Sequence, residues 1–250
     1  MERLIAGAER LGLSLTPRQV EGFHVYYEEL IRWNRRVNLT AIIDYEGVQL
    51  KHFLDSLTIV LAIKKMPSLV IDVGTGAGIP GVPLKILFPN ISLTLVDSTH
   101  KKADFLKHLV AQLGLEGVEV VTARAEQLAH DEGYRERFDL VLSRGVAELA
   151  SLAELALPFC ALGGCFIAQK KGEISQEIEA ATTAIDILGG QLREVKRFTL
   201  EELGEERALV VIDKLTPTPQ LYPRRPGIPQ KRPLGPKMRK QGNLAIDRSK

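Results

Sequence analysis

The stretch Val70-Ile71-Asp72-Val73-Gly74-Thr75-Gly76-Ala77-Gly78-Ile79-Pro80-Gly81 constrains the fold more than any other part of the chain. An apolar strand runs into four closely spaced glycines and then into a helical pattern. Glycine tolerates positive φ and lets backbone approach a ligand closely, so such a turn belongs at the carboxyl end of a strand that feeds a helix. The following residues keep that rhythm. Strands are expected over 69–73, 92–97, 118–123, 138–143, 165–170, 191–198 and 207–214, and helices over 81–87, 101–113, 149–157 and 175–188. Alternation of this kind makes an α/β protein, a mostly parallel sheet covered by helices on both faces. The last two strands have no long helix between them, so they are expected to form an antiparallel pair at one edge.

A helical region precedes the sheet. Thr16 can cap a helix, Pro17 suits its first position and Gln19 completes a capping box. Val20, Phe23, Tyr27, Leu30 and Ile31 then follow helical spacing, with an end expected near Val37-Asn38. A second helix is expected over 46–63. The chain therefore divides into a helical N-terminal region (1–66) packed on the core, a sheet domain (67–214) and a C-terminal arm (215–250).

Charge singles out that arm. The chain has 33 Lys and Arg against 31 Asp and Glu, a net +2 that by itself argues against a polyanionic partner. The distribution is uneven. Residues 214–250 hold ten basic residues and one acid, Asp247, a net +9; the part before them has 23 basic and 30 acidic residues, a net −7. Seven of the 13 prolines lie in the same arm. It reads as an extended, polyproline-like, solvated segment suited either to a polyanion or simply to solubility. Cys160 and Cys165 lie in an apolar run with no His or Cys at metal spacing, so reduced thiols, a reducing compartment and no metal are expected. No signal peptide and no membrane span are evident, and a cytoplasmic monomer is expected.

Two ligands compete for the glycine loop. Gly76-x-Gly78-x-x-Gly81, with Asp97 21 residues after Gly76, satisfies the dinucleotide pattern and would make a nicotinamide-dependent oxidoreductase. Three details favour S-adenosylmethionine. Asp72 ends the first strand, where a carboxylate suits the methionine ammonium and would repel a pyrophosphate. The glycines alternate as Gly74, Gly76 and Gly78. Asp97 ends the second strand, where its oxygens can accept from ribose hydroxyls. Glu126, after the third strand, can accept from an adenine amino group or simply be an exposed helix-start acid.

The methyl acceptor is narrowed by absences. Methylation of an exocyclic base amine usually goes with Asn/Asp-Pro-Pro-aromatic after the fourth strand, where Leu142-Ser143-Arg144-Gly145 stands instead. Methylation of a pyrimidine carbon needs a cysteine, typically after proline, and neither cysteine follows one. A ring nitrogen such as guanine N7 keeps an in-plane lone pair and attacks without a general base, so positioning and exclusion of water suffice. Arg144 and Lys170 are candidates to position cofactor or base, and Lys171 adds a cation at the same rim. Trp33, flanked by Arg32, Arg35 and Arg36, either stacks a base beside phosphate-binding arginines or closes a core-facing helix. Arg224, Arg225, Lys231 and Arg232 are the arm's candidates for RNA. His52 and Asp55 share a helix face, as a bonded pair or as a wall of the cofactor crevice. A non-catalytic RNA-binding protein is a further reading.

Asn34-Arg35-Arg36-Val37-Asn38-Leu39-Thr40, Lys51-His52-Phe53-Leu54-Asp55-Ser56-Leu57, the run from Asp72 to Gly81 and Leu142-Ser143-Arg144 together resemble the bacterial small-subunit ribosomal RNA guanine-N7 methyltransferases, the glucose-inhibited division protein B family. Tyr222-Pro223-Arg224-Arg225-Pro226-Gly227-Ile228-Pro229 resembles that family's tail, and the match spans 33–234. The resemblance implies a Rossmann-like class I methyltransferase fold. It implies methyl transfer from S-adenosylmethionine to N7 of a guanine in small-subunit ribosomal RNA, within the assembled subunit. By position it places Gly74, Ile79, Ala125, Glu126 and Arg144 at the cofactor. Ala77 departs from the family's frequent proline, and 237–250 extend past the usual tail.

Overall fold

The computed structural model describes residues 1–235. Its sheet has seven strands: β1 (Leu69–Val73), β2 (Ser92–Asp97), β3 (Val118–Thr122), β4 (Phe138–Arg144), β5 (Cys160–Lys171), β6 (Gly190–Thr199) and β7 (Glu206–Lys214). Their order is β3-β2-β1-β4-β5-β7-β6. The first five are parallel, and β7 runs antiparallel to both β5 and β6. The expected antiparallel edge is therefore present. Strand order reverses between β1 and β4, so the carboxyl ends of β1, β2 and β4 open together at the switch point, where α/β sheets bind ligands.

The helices cover both faces. Helix α1 (Glu2–Arg10), α2 (Pro17–Val37), α5 (Gly81–Leu87) and α6 (His100–Gln112) bury one face; α7 (Ala125–Leu128), α8 (Leu149–Ala156) and α9 (Ser175–Ile187) bury the other. Helix α2 starts as its sequence demands. Thr16 Oγ1 accepts from Gln19 N, Gln19 Oε1 accepts from Thr16 N, and Pro17 needs no donor. The helix ends at Val37, with Asn38 left-handed at φ 38°. Phe23, Tyr26 and Leu30 are fully buried on its inner face. Each such side chain contributes about 1.5–3 kcal/mol on burial, which holds the N-terminal region to the sheet domain as one body.

Three expectations need correction. First, Glu2–Arg10 form a helix where no separate helix is expected. Its amphipathic pattern is short, and Leu4, Gly7 and Ala8 are its buried contacts. The helix expected over 46–63 is broken into α3 (Tyr45–Val48), a π turn (Gln49–Leu54), α4 (Asp55–Leu57) and a 3₁₀ turn (Thr58–Ala62). The Asp55 N–H reaches back to Leu50 O, so an extra residue is inserted and the helix face rotates; π turns of this kind recur at functional sites. Third, 215–235 is not a free arm, although Leu215, Leu221, Arg225 and Lys231 stay exposed. It folds back across α7 and α8, with a short α10 (Ile228–Lys231), and buries Thr218, Tyr222, Pro223, Pro229 and Leu234. Polar anchors hold it, and they decided the outcome that proline content alone could not. The extension from 237 to 250 falls outside the described residues. No helix among the described residues is long and apolar enough to cross a membrane.

Candidate cofactor site

At the switch point lies a cavity of about 390 Å³. Gly74, Thr75, Gly76, Ala77 and Ile79 form its floor, Asp97, Ser98, Thr99 and Lys102 one side, and Arg144, Gly145 and Val146 the other. Leu39, Thr40 and His52 close it from the N-terminal region. Gly74 has φ +72°, and a Cβ there would stand 2.6 Å from Val146 Cγ2, so this turn requires glycine.

Hydrogen bonds around the loop identify the kind of ligand it suits. Gly74 and Thr75 N–H donate to Val96 O, Gly78 and Ile79 to Thr75 O, and Val82 to Gly78 O. Gly76 N–H donates to Asp97 Oδ2 at 3.0 Å and Gly81 N–H to Asp72 Oδ2 at 2.8 Å. Pro80 has no N–H. A dinucleotide loop instead aims its backbone donors at a pyrophosphate. Here the N–H groups of Gly74, Thr75, Gly76, Gly78, Ile79 and Gly81 are spent inside the protein, two of them on carboxylates, so an anion would meet acids.

Asp72 lies beneath the loop, fully buried. Its Oδ2 also accepts from Thr75 Oγ1 at 2.7 Å, while Oδ1 has no partner. Burial pushes its pKa up to about 6, against the lowering by its two donors. Asp97 is 8% exposed at the rim; its Oδ1 accepts from Thr99 N–H at 2.8 Å. Each Asp97 oxygen therefore retains a lone pair for a hydroxyl donor. The orphaned buried oxygen and the acid at the rim fit a cationic nucleoside such as S-adenosylmethionine.

Arg144 Nη1 donates to Lys51 O at 3.0 Å and to Asp55 Oδ2 at 3.1 Å, and Nη2 donates to His52 Nδ1 at 3.2 Å. Burial lowers the Arg144 pKa, opposed chiefly by Asp55. Burial, then Arg144, lowers His52 to about 4, so the ring is neutral and its Nε2 faces Thr40 Oγ1 at 2.7 Å. His52 and Asp55 do not bond each other; they share Arg144.

Other candidates are placed differently from their expected roles. Lys170 Nζ donates to Glu177 Oε1 at 2.6 Å and to Ala147 O at 2.8 Å, so it is turned away from the cavity into α9. Glu126 Oε1 accepts from Gly227 N–H at 2.8 Å, and its side chain faces the C-terminal segment. Ala125 begins α7, and Gly78 lies behind the loop wall against Val82, Leu106 and Tyr26. Arg32 pairs with Glu29, whose carboxylate also meets His108 Nε2 at 2.8 Å. Trp33 is half-buried against Phe105 and His108. Lys171 pairs with Glu205 at 3.3 Å. Arg224 is locked on Glu154, which is 0% exposed, and is not a free cation. Arg35, Arg36, Arg225, Lys231 and Arg232 are exposed.

Three further side chains contribute to the site. Tyr26 Oη donates to Ala77 O at 2.6 Å and so pins the loop from α2. It satisfies helical spacing as well as Tyr27 does, but a hydroxyl's destination leaves no trace in spacing. Thr75 ties Asp72, and Lys102 lines the cavity one turn into α6.

The strand order, the acid-bearing loop at the end of β1 and the acid at the end of β2 define a class I methyltransferase. The family model described as rRNA small subunit methyltransferase G (GidB) matches residues 19–210, and the chain belongs to that family. Proteins named ribosomal RNA small subunit methyltransferase G are 51% identical in Dehalococcoides mccartyi, covering 94% of this chain and 100% of the relative. In Pelotomaculum thermopropionicum the identity is 47%, covering 93% and 98%; in Bacillus cereus it is 43%, covering 94% and 98%. Among solved structures, a Klebsiella pneumoniae protein assigned as an O-methyltransferase shares the fold at TM-score 0.52 and 12% identity, covering 76% of this chain and 90% of that one.

Proposed function

We propose that this protein transfers a methyl group from S-adenosylmethionine to N7 of a guanine in small-subunit ribosomal RNA, as a monomer acting on the assembled subunit. The observation that carries the cofactor assignment is the loop in which Gly76 and Gly81 donate to Asp97 and Asp72 and neighbouring N–H groups to backbone carbonyls, which disfavours the pyrophosphate of a nicotinamide cofactor. When bound, S-adenosylmethionine supplies an electrophilic methyl on a sulfonium. Asp97 holds the ribose, Asp72 offers its unpartnered oxygen to the cationic end, and Arg144 orients the ligand or the base. The acceptor assignment is supported by what the cavity lacks. Cys160 is buried in the core, and Cys165 lines a different concavity with Pro67, Ser68 and Leu162. Both thiols are pushed up by burial. Neutral His52 is engaged on both ring nitrogens. Such a site suits an acceptor that carries its own lone pair. Tritium transfer to subunits from cells lacking the enzyme tests the proposal, with cleavage at N7-methylguanine to map the product. No incorporation into such subunits would refute it.

Asp72 predicts a pH dependence. With its pKa at about 6, the carboxylate loses its charge as pH falls through that value, and affinity for a cationic ligand falls with it. Below pH 6 the affinity should drop by about tenfold per pH unit. Folding moves the opposite way. A raised carboxyl pKa gives stability that is complete below the unfolded value of about 3.8 and is lost as pH rises through about 6. Asp72→Asn keeps an acceptor for Thr75 and Gly81, so it should fold, bind weakly and lose both dependences. Calorimetric titration and melting across this window, for wild type and variant, decide it.

The exposed pair Arg35 and Arg36 lies on the last turn of α2, four or five residues before the cavity wall at Thr40. Converting both to glutamine should weaken RNA binding and reduce the slope of log K against log salt by roughly 0.7 per residue. An unchanged slope would remove them from the RNA surface.

A further inference from the structure

Asp55 is 2% exposed and sits between two guanidiniums. Its Oδ2 accepts from Arg144 Nη1 at 3.1 Å and its Oδ1 from Arg207 Nε at 2.9 Å. Arg144 lines the cofactor cavity; Arg207, at the start of β7, does not, and is 2% exposed. A carboxylate with one oxygen fixed on each side cannot rotate, so Arg207 sets the direction in which Asp55 presents its other oxygen. The π turn supplies the remaining contacts. Because the Asp55 N–H reaches Leu50 rather than Lys51, the Lys51 carbonyl and the His52 ring stand beside Asp55, and all three hold the same guanidinium. Gln169 Nε2 fixes the turn from below by donating to Asp55 O at 2.7 Å. These contacts use three of the five Arg144 N–H donors and leave two without a partner among the described residues.

The geometry points to Asp55 as a positioning residue for the methyl-transfer reaction: it holds Arg144 in the cavity with two N–H donors free for a ligand. This assignment rests on the proposed cofactor reading. It makes the chemistry of the cavity depend on a group that touches neither ligand. Asp55→Asn removes the charge and keeps the shape, so Arg144 should swing away and the ligand should lose an oriented charge-assisted donor.

A merely structural staple between the N-terminal region and the sheet would cost stability and nothing else. Steady-state kinetics with S-adenosylmethionine and unmethylated subunits, beside melting curves, separate the two. Asp55→Asn is expected to raise KM for S-adenosylmethionine by about tenfold, the loss of one such bond, with a smaller fall in kcat. In an Arg144→Gln background the same change should raise KM no further, because the two residues act as one unit. Arg207→Gln frees the other oxygen of Asp55, so it should lower the melting temperature and raise KM by less than Asp55→Asn does. A KM for Asp55→Asn equal to the wild type, or its full effect repeated on top of Arg144→Gln, would overturn the assignment. If Asp55→Asn does not fold, Arg207→Gln decides alone: a KM raised above the wild type in the folded variant supports the assignment, and an unchanged KM overturns it. Calorimetry of the wild type with S-adenosylmethionine runs beside these, and failure to bind there would reject the functional reading itself.

Discussion

Asp97→Ala is expected to weaken S-adenosylmethionine binding by about 10² to 10⁴-fold, the loss of two hydrogen bonds to a charged acceptor at about 1.5–3 kcal/mol each. The carboxylate has two jobs. It takes Gly76 N–H and Thr99 N–H, which orders the loop and the start of α6, and it keeps a lone pair on each oxygen for the ribose. Alanine removes both. The stranded N–H groups lie at the cavity rim, where water can reach them, so the fold should survive with a modest fall in melting temperature. Asp97→Asn separates the two jobs. Its one acceptor oxygen can hold one backbone donor but not both, and its amide presents a donor where a hydroxyl must donate. Its affinity should fall between alanine and wild type. Calorimetry with S-adenosylmethionine on folded variants is the measurement, and an alanine variant that binds within about threefold of wild type would remove Asp97 from the ribose site.

The parts of the site readable from the chain are those where backbone chemistry and sequence coincide. Gly74 must be glycine because φ is positive and Val146 stands too close for a Cβ, and a glycine is visible in any sequence. Asp72 and Asp97 end strands whose limits were set by runs of apolar residues, so their place at one crevice followed from topology. Arg144 was found for the same reason. Lys170 was misjudged because strand ends tell where a side chain begins and not where a long one goes. Glu177 on α9, seven residues on, captures it. Glu126 and Arg224 share another limit. Each was judged against solvent or ligand, and each is instead bound by a segment distant in sequence. The π turn was hidden because one inserted residue shifts the apolar pattern by less than the scatter of an amphipathic helix. Yet that turn brings Lys51, His52 and Asp55 onto Arg144.

The C-terminal segment carries the second large expectation. Glu154 on α8 is fully buried and accepts from Arg224 N–H at 2.8 Å, from Nε at 2.8 Å and from Nη2 at 2.6 Å, a forked pair with a backbone donor added. Arg135 donates to Thr218 O and Tyr222 O, Ser151 Oγ to Pro229 O, and Gly227 N–H to Glu126. Lys214, also buried, pairs with Glu136 at 3.2 Å. Glu154→Ala leaves the partly exposed Arg224 guanidinium without its anion and removes its charge-assisted bonds, which costs about 1.5–3 kcal/mol. At roughly 2–4 °C per kcal/mol for a domain of this size, the melting temperature should fall by about 6 °C. Proteolysis should then cut first within 215–235. Replacing both partners with apolar residues of similar volume should recover much of the loss, since an apolar pair needs no compensation. Truncation after Lys214 should cost more still, because it also strips Tyr222 and Leu234 from the core around α8. A Glu154→Ala protein that melts with the wild type would show that the segment does not brace the fold. The charge split between an acidic body and a basic tail thus has an internal use. Arg224 and Lys214 are spent on Glu154 and Glu136, so charge removal at the exposed Arg225, Lys231 and Arg232 should reduce the salt dependence of RNA binding.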